Sequence, residues 1–488
     1  MKFSGDVVCC ENHDFSYWEL KNLNQSDVHV IHIDAHDDLA PSDKETDLYI
    51  GNYLHLAAKK GLCSKITWIV PEPSWEDKKN RAKIIKRLRN HSKCIIKKNK
   101  NKKMLTGTFQ GCEFNVGPMK AMKPDFGPTF IDLDVDYLIY WPPKSQLQSN
   151  VRPYPWIWPE EVVEQIKLLA PNPIRSVVCY SLQGGYTPLD WRFIGDETLA
   201  LMLGKVDTDQ RCYFFKRRSA VIEAYKNVGK KKAIRNLRNL TNLNKSDPVL
   251  WWHLATAYMY LDEMDLARAA QQKARQLSPI YDRHPFSYIA YKMVISELFE
   301  TAIYNLEKHH AVDPKDPHIM YGMSACLQRL KRWNESKRWL KKILERAPNF
   351  AEAYYRLANV ELQNKHYESA KVYFEQYFFH YLSGHSVYDQ PIVTRQIGPL
   401  NLSRRYFLSQ FKYGKLMFHL DNKTLGVQSM RMAANAGLKN ARLWLVLRYV
   451  LDIKLRLLLR ELKNLKDDCI KDLVLRWCRL VRKNETPQ

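Results

Sequence analysis

The sequence predicts an α/β layer followed by an all-α superhelix, and two observations lead to this prediction. In residues 1–200, short β-branched runs alternate with helical patterns, which favours a parallel sheet with flanking helices. The remaining residues show a helical pattern that repeats, with Pro279, Pro314 and Pro348 in register at steps of 35 and 34 residues. A chain of 488 residues has room for roughly two to four domains.

The α/β prediction rests on four strand-like runs and the segments between them. The runs lie at residues 28–33, 66–70, 130–136 and 176–180. Residues 158–170 form a helical pattern with Pro159 near its start, where proline is well tolerated. Residues 83–103 are dense in lysine and arginine and are predicted to be a surface helix and loop. Parallel sheets bind ligands at the carboxyl ends of their strands, so functional residues are expected there.

The helical repeat matches the tetratricopeptide pattern of small and large apolar residues. The matching residues are Trp251, Leu254, Ala255, Tyr258, Ala267 and Ala274 in one copy, Ala302 and Leu306 in the next, and Leu357, Ala358, Ala370 and Phe374 in a later one. Small residues let paired helices approach closely, and stacked pairs form a superhelix with a concave groove. The sequence is therefore divided into an α/β domain at 1–205, tetratricopeptide-type repeats at 206–385, and a helical extension at 386–488. The extension is predicted to cap the array or to form a basic surface helix.

Charge is distributed unevenly along the chain. Residues 1–200 contain 26 Lys and Arg against 25 Asp and Glu; subtraction from the totals of 76 and 52 leaves 50 and 27, a net charge of +23, for the rest. This basic part is expected to attract an acidic partner. No apolar run is long enough for a membrane-spanning helix, no secretory signal is recognisable, and the ten scattered cysteines are typical of reduced thiols. A cytoplasmic protein is therefore expected.

Two acidic motifs lie at predicted strands. Alternate residues of an extended segment share a face, so Asp34, His36 and Asp38 are expected to point together. The second motif repeats this device with three acids at alternate positions, Asp132, Asp134 and Asp136. Buried acids are costly unless they are paired or metal-bound, and mixed oxygen and nitrogen ligands suit manganese, zinc or iron. The two motifs together predict a divalent metal site.

These motifs resemble those of the arginase/ureohydrolase superfamily, in which Asp-Ala-His-x-Asp precedes a later Asp-x-Asp strand. The resemblance is strongest to the UPF0489 branch, which includes peptide arginases that convert arginine to ornithine within ribosomally made peptides. It covers about residues 5–200 and implies an arginase-like α/β fold. It also implies a hydrolase that uses two Mn²⁺ ions, with Zn²⁺ or Fe²⁺ as alternatives.

The resemblance further implies which residues bind the metal ions. Carried over to this sequence, the ligands are His13, Asp34, His36, Asp38, Asp134 and Asp136. Asp34 is the expected bridge between the two metals. Asp132 stands where the family usually has a serine, so a register that uses Asp132 as a ligand stays open.

Catalytic and substrate-binding residues follow from the same resemblance. The segment GNYLH resembles the arginase Gly-Asn-Leu-His segment with one residue inserted, which makes its last residue, His55, the proton shuttle to the leaving amine. Asn52 of this segment is an expected substrate-binding residue, and Asp38 is expected to hold the proton of the attacking water. Glu197 is the expected acid for the guanidinium group. Tyr186 follows two glycines in a loop that is expected to approach the substrate closely.

The combined prediction is a metal-dependent hydrolase that converts arginine to ornithine and urea in a peptide or protein, whose acidic recognition segment binds the tetratricopeptide groove. Two alternatives stay open: a non-catalytic scaffold with a degenerate hydrolase domain, and a zinc-dependent, deacetylase-like amidohydrolase. Positive charge alone is compatible with nucleic-acid binding, but the sequence contains no recognised nucleic-acid module.

Overall fold

The structure is a computed structural model that describes residues 5–42, 45, 48–91, 93–99, 104–142, 152–182, 186–226, 231–282, 297–386, 404–436, 438 and 440–445. The chain divides into two compact units, residues 1–348 and 349–488. The first unit contains the sheet and the helices up to residue 346, and the second contains the helices that follow.

Ten strands are described, all in the first unit. They are β1 (Asp6–Cys10), β2 (His29–Ile33), β3 (Lys65–Ile69), β4 (Cys94–Asn99), β5 (Met104–Phe109), β6 (Cys112–Gly117), β7 (Thr129–Asp134), β8 (Ile139–Tyr140), β9 (Tyr154–Pro155) and β10 (Arg175–Cys179). Eight of them form one sheet in the order β1-β10-β7-β2-β3-β6-β5-β4, and β8 pairs with β9. In this order, each pair of neighbours from β1 to β6 is parallel. Strand β5 pairs antiparallel with both β6 and β4, so the large sheet is mixed.

The order in which the chain adds strands reverses at the centre of the sheet, between β2 and β7. Strands β2 and β7 are neighbours and are buried along their whole length, as apolar runs in the middle of a parallel sheet usually are. From β2 the chain proceeds to β3 on one side, and from β7 it proceeds to β10 on the other. The carboxyl ends of β2 and β7 therefore mark the switch point at which sheets of this kind bind ligands.

Among the described residues, six helices accompany the sheet. They are α1 (Asp14–Asn22), α2 (Tyr53–Lys59), α3 (Glu72–Glu76), α4 (Lys78–Asn90), α5 (Pro159–Leu169) and α6 (Arg192–Met202). Helix α5 illustrates how the sequence specifies them: it begins at a proline, and Val162, Val163 and Ile166 recur at the spacing that places them on one buried face.

The remaining described helices follow one another along the chain, most of them as packed pairs. In the first unit they are α7 (Thr208–Lys226), α8 (Lys231–Leu243), α9 (Pro248–Met259), α10 (Met264–Leu277), α11 (Phe299–Val312), α12 (Pro317–Arg329) and α13 (Trp333–Arg346); in the second they are α14 (Ala351–Gln363), α15 (Tyr367–Leu382), α16 (Arg404–His419) and α17 (Lys423–Asn435). The pairs share local signals. Asp247 and Asp316 each cap a helix that starts with proline, and each carboxylate accepts the backbone N–H two residues on.

One apolar core joins the sheet to the first helical pairs. Leu133 of β7, Phe193 of α6, Val221 of α7 and Leu250 of α9 belong to the same cluster of buried side chains. The three-part division drawn from the sequence follows secondary structure, whereas packing places the α/β layer and the first repeats in one unit.

The strands of the structure differ from those predicted in two places. The four predicted runs correspond to β2, β3, β7 and β10, but β7 ends at Asp134 and a 3₁₀ turn, Val135–Leu138, contains the last residue of the second acidic motif. The basic segment at 83–103 is helical only as far as Asn90, and β4 at the edge of the sheet replaces the predicted loop.

Two further expectations concern the helical part. A search of the described helices finds none with both the length and the hydropathy that crossing a bilayer requires. The basic surface helix proposed for the extension falls on residues 443–462. Residues 446–462 of this range lie outside the described residues.

Candidate metal centre

Four neighbouring strands end at one edge of the sheet, and the residues that follow them meet there. Strand β1 leads to His13, β2 leads to Asp34, β7 ends in Asp134, and β10 is followed by Ser181. In the register of the sheet, Cys179 at the end of β10 lies beside Asp134. The site is therefore built by the parallel topology and not by any single stretch of sequence.

Both acidic motifs turn in the same way where their strands end. The Asp34 Oδ1 atom accepts a 2.6 Å hydrogen bond from the backbone N–H of His36, and Asp134 Oδ1 accepts one of 2.8 Å from the N–H of Asp136. Aspartate favours such turns because its short side chain reaches the N–H two residues on. The residues of the first motif thus converge through a turn and not along an extended segment as predicted.

The first group of expected ligands surrounds one imidazole and is named site A: His13, Asp34, Asp38 and Asp134. The His13 Nδ1 atom lies 3.0 Å from Asp34 Oδ2, 3.0 Å from Asp38 Oδ2 and 3.4 Å from Asp134 Oδ2. Asp38 reaches this point from a left-handed backbone conformation with φ of 48°. All four side chains are buried. Three carboxylate oxygens directed at one imidazole nitrogen form a cage suited to a cation.

A second group, named site B, consists of Asp34, His36 and Asp136. The His36 Nδ1 atom lies 2.9 Å from Asp136 Oδ2 and 3.4 Å from Asp34 Oδ1. In this group, and in the group of His13, Asp34 and Asp38, the ligand atoms lie within 4.8 Å of one another. Asp34 therefore presents Oδ2 to site A and Oδ1 to site B, which is the arrangement expected of a bridging carboxylate. The structure brings all six expected ligands together, and their binding of metal stays a prediction.

The donor set of the two sites fits divalent cations. Buried carboxylates are costly without positive charge beside them. The buried Asp34 Oδ2 atom receives no hydrogen bond of acceptable geometry from the described residues. Carboxylate oxygens combined with imidazole nitrogens suit manganese, and they are also compatible with zinc and iron. Each ion would thus have one histidine and at least two carboxylates.

Asp132 is enclosed by hydrogen-bond donors, which argues against its use as a ligand. Ser16 Oγ donates a 2.7 Å hydrogen bond to Asp132 Oδ1, and the Tyr53 hydroxyl donates one to Oδ2. His32 Nδ1 lies 2.7 Å from Oδ2, and His13 Nε2 lies 3.4 Å from Oδ1. The structure therefore favours the register in which the two later acids of the motif are the ligands.

His32 carries a positive charge in this arrangement. Its Nε2 atom lies 3.1 Å from the carbonyl oxygen of His36, which can only accept, and its Nδ1 atom faces the carboxylate of Asp132. A neutral imidazole has one N–H, so both contacts require the imidazolium form. Burial lowers the pKa of His32, but the hydrogen bond to Asp132 and the charge of Asp34 outweigh burial and raise it. The Asp132 charge is thus balanced within the fold.

Four residues of the centre, Asp38, Asp134, Asp34 and His13, also have shifted pKa values. Burial, with the charge of Asp34, raises the pKa of Asp38 to about 6. Burial and the charge of Asp136 raise the pKa of Asp134 well above its usual range. Burial alone would raise the pKa of Asp34, but the adjacent imidazoles of His13 and His36 hold it well below that range. Burial lowers the pKa of His13, yet the surrounding carboxylates raise it well above its usual value.

Helix α2 directs Tyr53, and not His55, at the ligands. The ring centroid of Tyr53 lies 5.5 Å from that of His13, whereas His55 packs edge-on against Phe109 at 5.5 Å. Residues two apart on a helix differ in direction by about 200°. The position of His55 therefore does not support the expected role as proton shuttle.

Two expected substrate-binding residues are engaged elsewhere. Asn52 Oδ1 accepts a 2.8 Å hydrogen bond from the backbone N–H of Tyr49 and closes the turn before α2. Glu197 is buried on α6, and its two oxygens accept hydrogen bonds of 2.7 Å from Arg217 and 2.6 Å from Arg218. This corrects the role expected for Glu197: it does bind guanidinium groups, but they belong to helix α7 of the same chain.

Tyr186 is the expected substrate-binding residue that the structure places beside the ligands. Its ring centroid lies 4.6 Å from that of His36, in an edge-on contact. The His36 side chain is 35% exposed, whereas those of Asp34 and Asp136 are 1% and 2% exposed. Site B next to Tyr186 is therefore the solvent-facing side of the centre. The two glycines that precede Tyr186 lie outside the described residues.

Several residues that contact the ligands are not part of either acidic motif: Ser16, His32, Tyr53, Cys179 and Ser181. Ser181 Oγ donates a 2.5 Å hydrogen bond to Asp134 Oδ2, and the Cys179 sulfur belongs to a group of potential ligand atoms with His13 and Asp134. His32 could have been found from the sequence, because it lies two residues before Asp34 and hence on the same side of β2. The others depend on strand register and helix faces that no local pattern specifies.

The second unit contains the helical pair in which the sequence repeat is clearest. Ala358 of α14 and Ala370 of α15 are fully buried together with Phe374, in one apolar cluster. The small side chains let the two helices approach, and the phenylalanine fills the space beside them. These are the small and large residues that the repeat pattern predicted at those positions.

Comparison with known proteins identifies this pair. A family model for the tetratricopeptide repeat matches residues 351–378.

Solved structures similar to the chain include YrrB, a TPR protein with an unusual peptide-binding site, at 15% identity and a TM-score of 0.26, covering 42% of this chain and 93% of that one. PilW, a type IV pilus biogenesis factor, is 15% identical with a TM-score of 0.27, covering 49% and 100%. PilF of Pseudomonas aeruginosa is 15% identical with a TM-score of 0.25, covering 48% and 93%. No curated protein matches the chain in sequence. The chain therefore combines a mixed, largely parallel sheet with a helical region that contains a tetratricopeptide repeat.

Proposed function

We propose that the α/β layer is a two-metal hydrolase that releases urea from arginine side chains of a peptide or protein and leaves ornithine. The observation that carries this proposal is the position of Asp34, which presents one carboxylate oxygen to site A and the other to site B. Mn²⁺ is the proposed metal. The residues that would hold the two ions are His13, Asp34, Asp38 and Asp134 at site A, and Asp34, His36 and Asp136 at site B.

Several residues of this chain have separate proposed roles in such a reaction. Paired divalent ions lower the pKa of bound water and so supply a nucleophile near neutral pH. The Asp38 carboxylate is the proposed acceptor of the proton that this water loses. Tyr186 lines the exposed side next to His36, where the substrate side chain would enter. The burial of the remaining ligands keeps bulk water away from the reacting atoms.

We further propose that the helical region binds the substrate chain. A tetratricopeptide repeat occupies residues 351–378, and residues 201–488 have a net charge of +23, from 50 basic and 27 acidic residues. A basic repeat array favours an acidic recognition segment by long-range attraction. The reacting arginine and the recognition segment would then be separate parts of one substrate.

The test is urea release from arginine-containing peptides by the full-length protein loaded with Mn²⁺. Each converted residue also loses the mass of CH₂N₂, which mass spectrometry locates in the peptide. The peptides are compared with and without an acidic segment, and Asp34→Asn protein is the control. Two bound Mn²⁺ ions without urea release from any arginine peptide or from free arginine would rule out this substrate class.

Specific observations favour two other functions, and metal content distinguishes them. Cys179 offers a sulfur ligand close to His13 and Asp134, which favours zinc and a deacetylase-like amide hydrolysis. One zinc ion per chain would support that alternative. The tetratricopeptide repeat by itself favours a protein-binding scaffold. A protein that binds neither manganese nor zinc would support the scaffold.

A further inference from the structure

We propose that Asp132 is the positioning residue of site A: it holds the His13 imidazole in the orientation that directs Nδ1 at the metal position. The inference rests on the proposed metal centre. It accounts for an acid that the two-metal arrangement leaves without a role.

The two nitrogens of His13 face opposite partners. Nδ1 lies 3.0 Å from Asp34 Oδ2 and from Asp38 Oδ2, on the side where the ion would lie. Nε2 lies 3.4 Å from Asp132 Oδ1, is buried, and has no hydrogen bond of acceptable geometry among the described residues. A histidine that binds metal through one nitrogen needs an acceptor for the N–H on the other, and a carboxylate is the common choice. Asp132 is the carboxylate in place for that task.

Asp132 is itself held rigidly, which a positioning residue requires. Ser16 donates to Oδ1, Tyr53 donates to Oδ2, and His32 Nδ1 lies 2.7 Å from Oδ2. Contacts on both oxygens fix the rotation of the carboxylate. These partners come from α1, α2 and β2, so three elements set the orientation of one carboxylate.

The effect is expected at one metal position only. His36, the histidine of site B, lies at the other side of Asp34 and faces Asp136 instead, at 2.9 Å. The His36 side chain is 35% exposed, so water can form a hydrogen bond with its second ring nitrogen. Loss of the Asp132 carboxylate should therefore weaken the ion at site A and leave the ion at site B bound.

The experiment measures Mn²⁺ binding by calorimetry, and coupling between the two ions by electron paramagnetic resonance, on full-length protein. Asp132→Asn keeps an oxygen that can accept from His13, whereas Asp132→Leu removes both the charge and the acceptor. Asp125→Asn is the matched control, because Asp125 Oδ2 lies 2.8 Å from His29 Nδ1 in another carboxylate–histidine pair, at the opposite end of β2. Circular dichroism and thermal unfolding establish that each variant is folded.

The expected result is a graded and selective loss. Wild type and Asp125→Asn bind two coupled ions. One of the two ions binds about 10-fold more weakly in Asp132→Asn and about 100-fold more weakly in Asp132→Leu, with the coupled signal reduced accordingly. If Asp132→Leu does not fold, Tyr53→Phe takes its place, since it removes one donor from Asp132 and should weaken the same ion.

Each other outcome overturns the inference. Wild-type affinity for both ions in the Asp132 variants leaves the metal centre standing and removes Asp132 from it. Equal weakening of both ions indicates that Asp132 supports the fold and does not position His13. If wild type binds no Mn²⁺, the proposed metal centre and this inference fail together.

Discussion

Tyr53 and His55 are two residues apart on helix α2 and face opposite sides of it. The Tyr53 hydroxyl donates to Asp132 beside the candidate ligands, whereas the His55 ring packs against Phe109. His55→Gln should therefore keep two bound Mn²⁺ ions and wild-type urea release, at a cost of about 1–3 kcal/mol in stability. Urea assays at saturating Mn²⁺ decide this. A loss of about 100-fold in a folded His55→Gln protein would restore the proton-shuttle role.

The shared position of Asp34 predicts how metal content responds to substitution. Asp34→Asn removes a ligand from both sites and should abolish binding of both ions. Asp38→Asn should lose only the ion at site A, and Asp136→Asn only the ion at site B, because each belongs to one group. Elemental analysis after gel filtration gives the ratio of metal to protein. If Asp34→Asn keeps one ion, the two sites are independent and Asp34 does not bridge them.

Glu197 is predicted to be a structural residue whose loss destabilises the first unit. It is 1% exposed and pairs with Arg217 and Arg218, so Glu197→Gln leaves buried guanidinium groups without their shared acid. We expect a loss of about 3–5 kcal/mol in the free energy of unfolding. Chemical denaturation measures it.

The adjacent residue provides the control for Glu197. Asp196 also pairs with an arginine, Arg192, but its side chain is 49% exposed. Asp196→Asn should cost at most about 1 kcal/mol, since exposed ion pairs are weak. Similar losses in both variants would contradict the structural role, and loss of substrate binding without loss of stability in Glu197→Gln would favour the original expectation.

His29 should make the first unit less stable in mild acid. Burial, with the charge of Lys65, lowers its pKa to about 4, while an unfolded histidine titrates near 6.5. Between these two values the unfolded chain binds a proton that the folded chain does not, so stability is complete above about pH 6.5 and falls as the pH drops towards 4. The full loss from this group is at most about 3 kcal/mol.

Thermal unfolding between pH 7.5 and 4 tests this dependence. His29→Gln removes the titrating group, so the difference between wild type and variant should shrink as the pH falls. If the difference in stability between wild type and His29→Gln stays constant from pH 7.5 to 4, His29 has the same pKa in the folded and unfolded states, which contradicts the prediction.

The convergence of the expected ligands was predictable from the sequence because they belong to short motifs at strand ends. His13, Asp34 and Asp134 could be placed by counting along strands and by resemblance, and the structure brings them to one sheet edge. The failures have a different origin. His55 and Glu197 were assigned from short segments, but the face of α2 and the approach of α7 decide where those side chains lie, and both depend on packing between distant segments.

The same distinction applies to the fold. The buried parallel strands are recognisable from their β-branched runs, and β2 and β3 appear within one residue of the predicted positions. The edge strand β4 has the sequence CIIKKN, in which lysines mask the strand character, and it is formed by pairing with β5. Charged residues are common on sheet edges, so composition alone did not separate this strand from a surface loop.

The core that links Leu133 of the sheet to Leu250 of the repeats limits how this protein can change. A sheet and a repeat array joined by a free linker can be recombined with other modules and can evolve separately. Here a cut after residue 205 would expose Phe193 to water and separate Glu197 from its two arginines. The first helical pairs are therefore part of the folding unit of the sheet, and the two must be inherited, expressed and altered together.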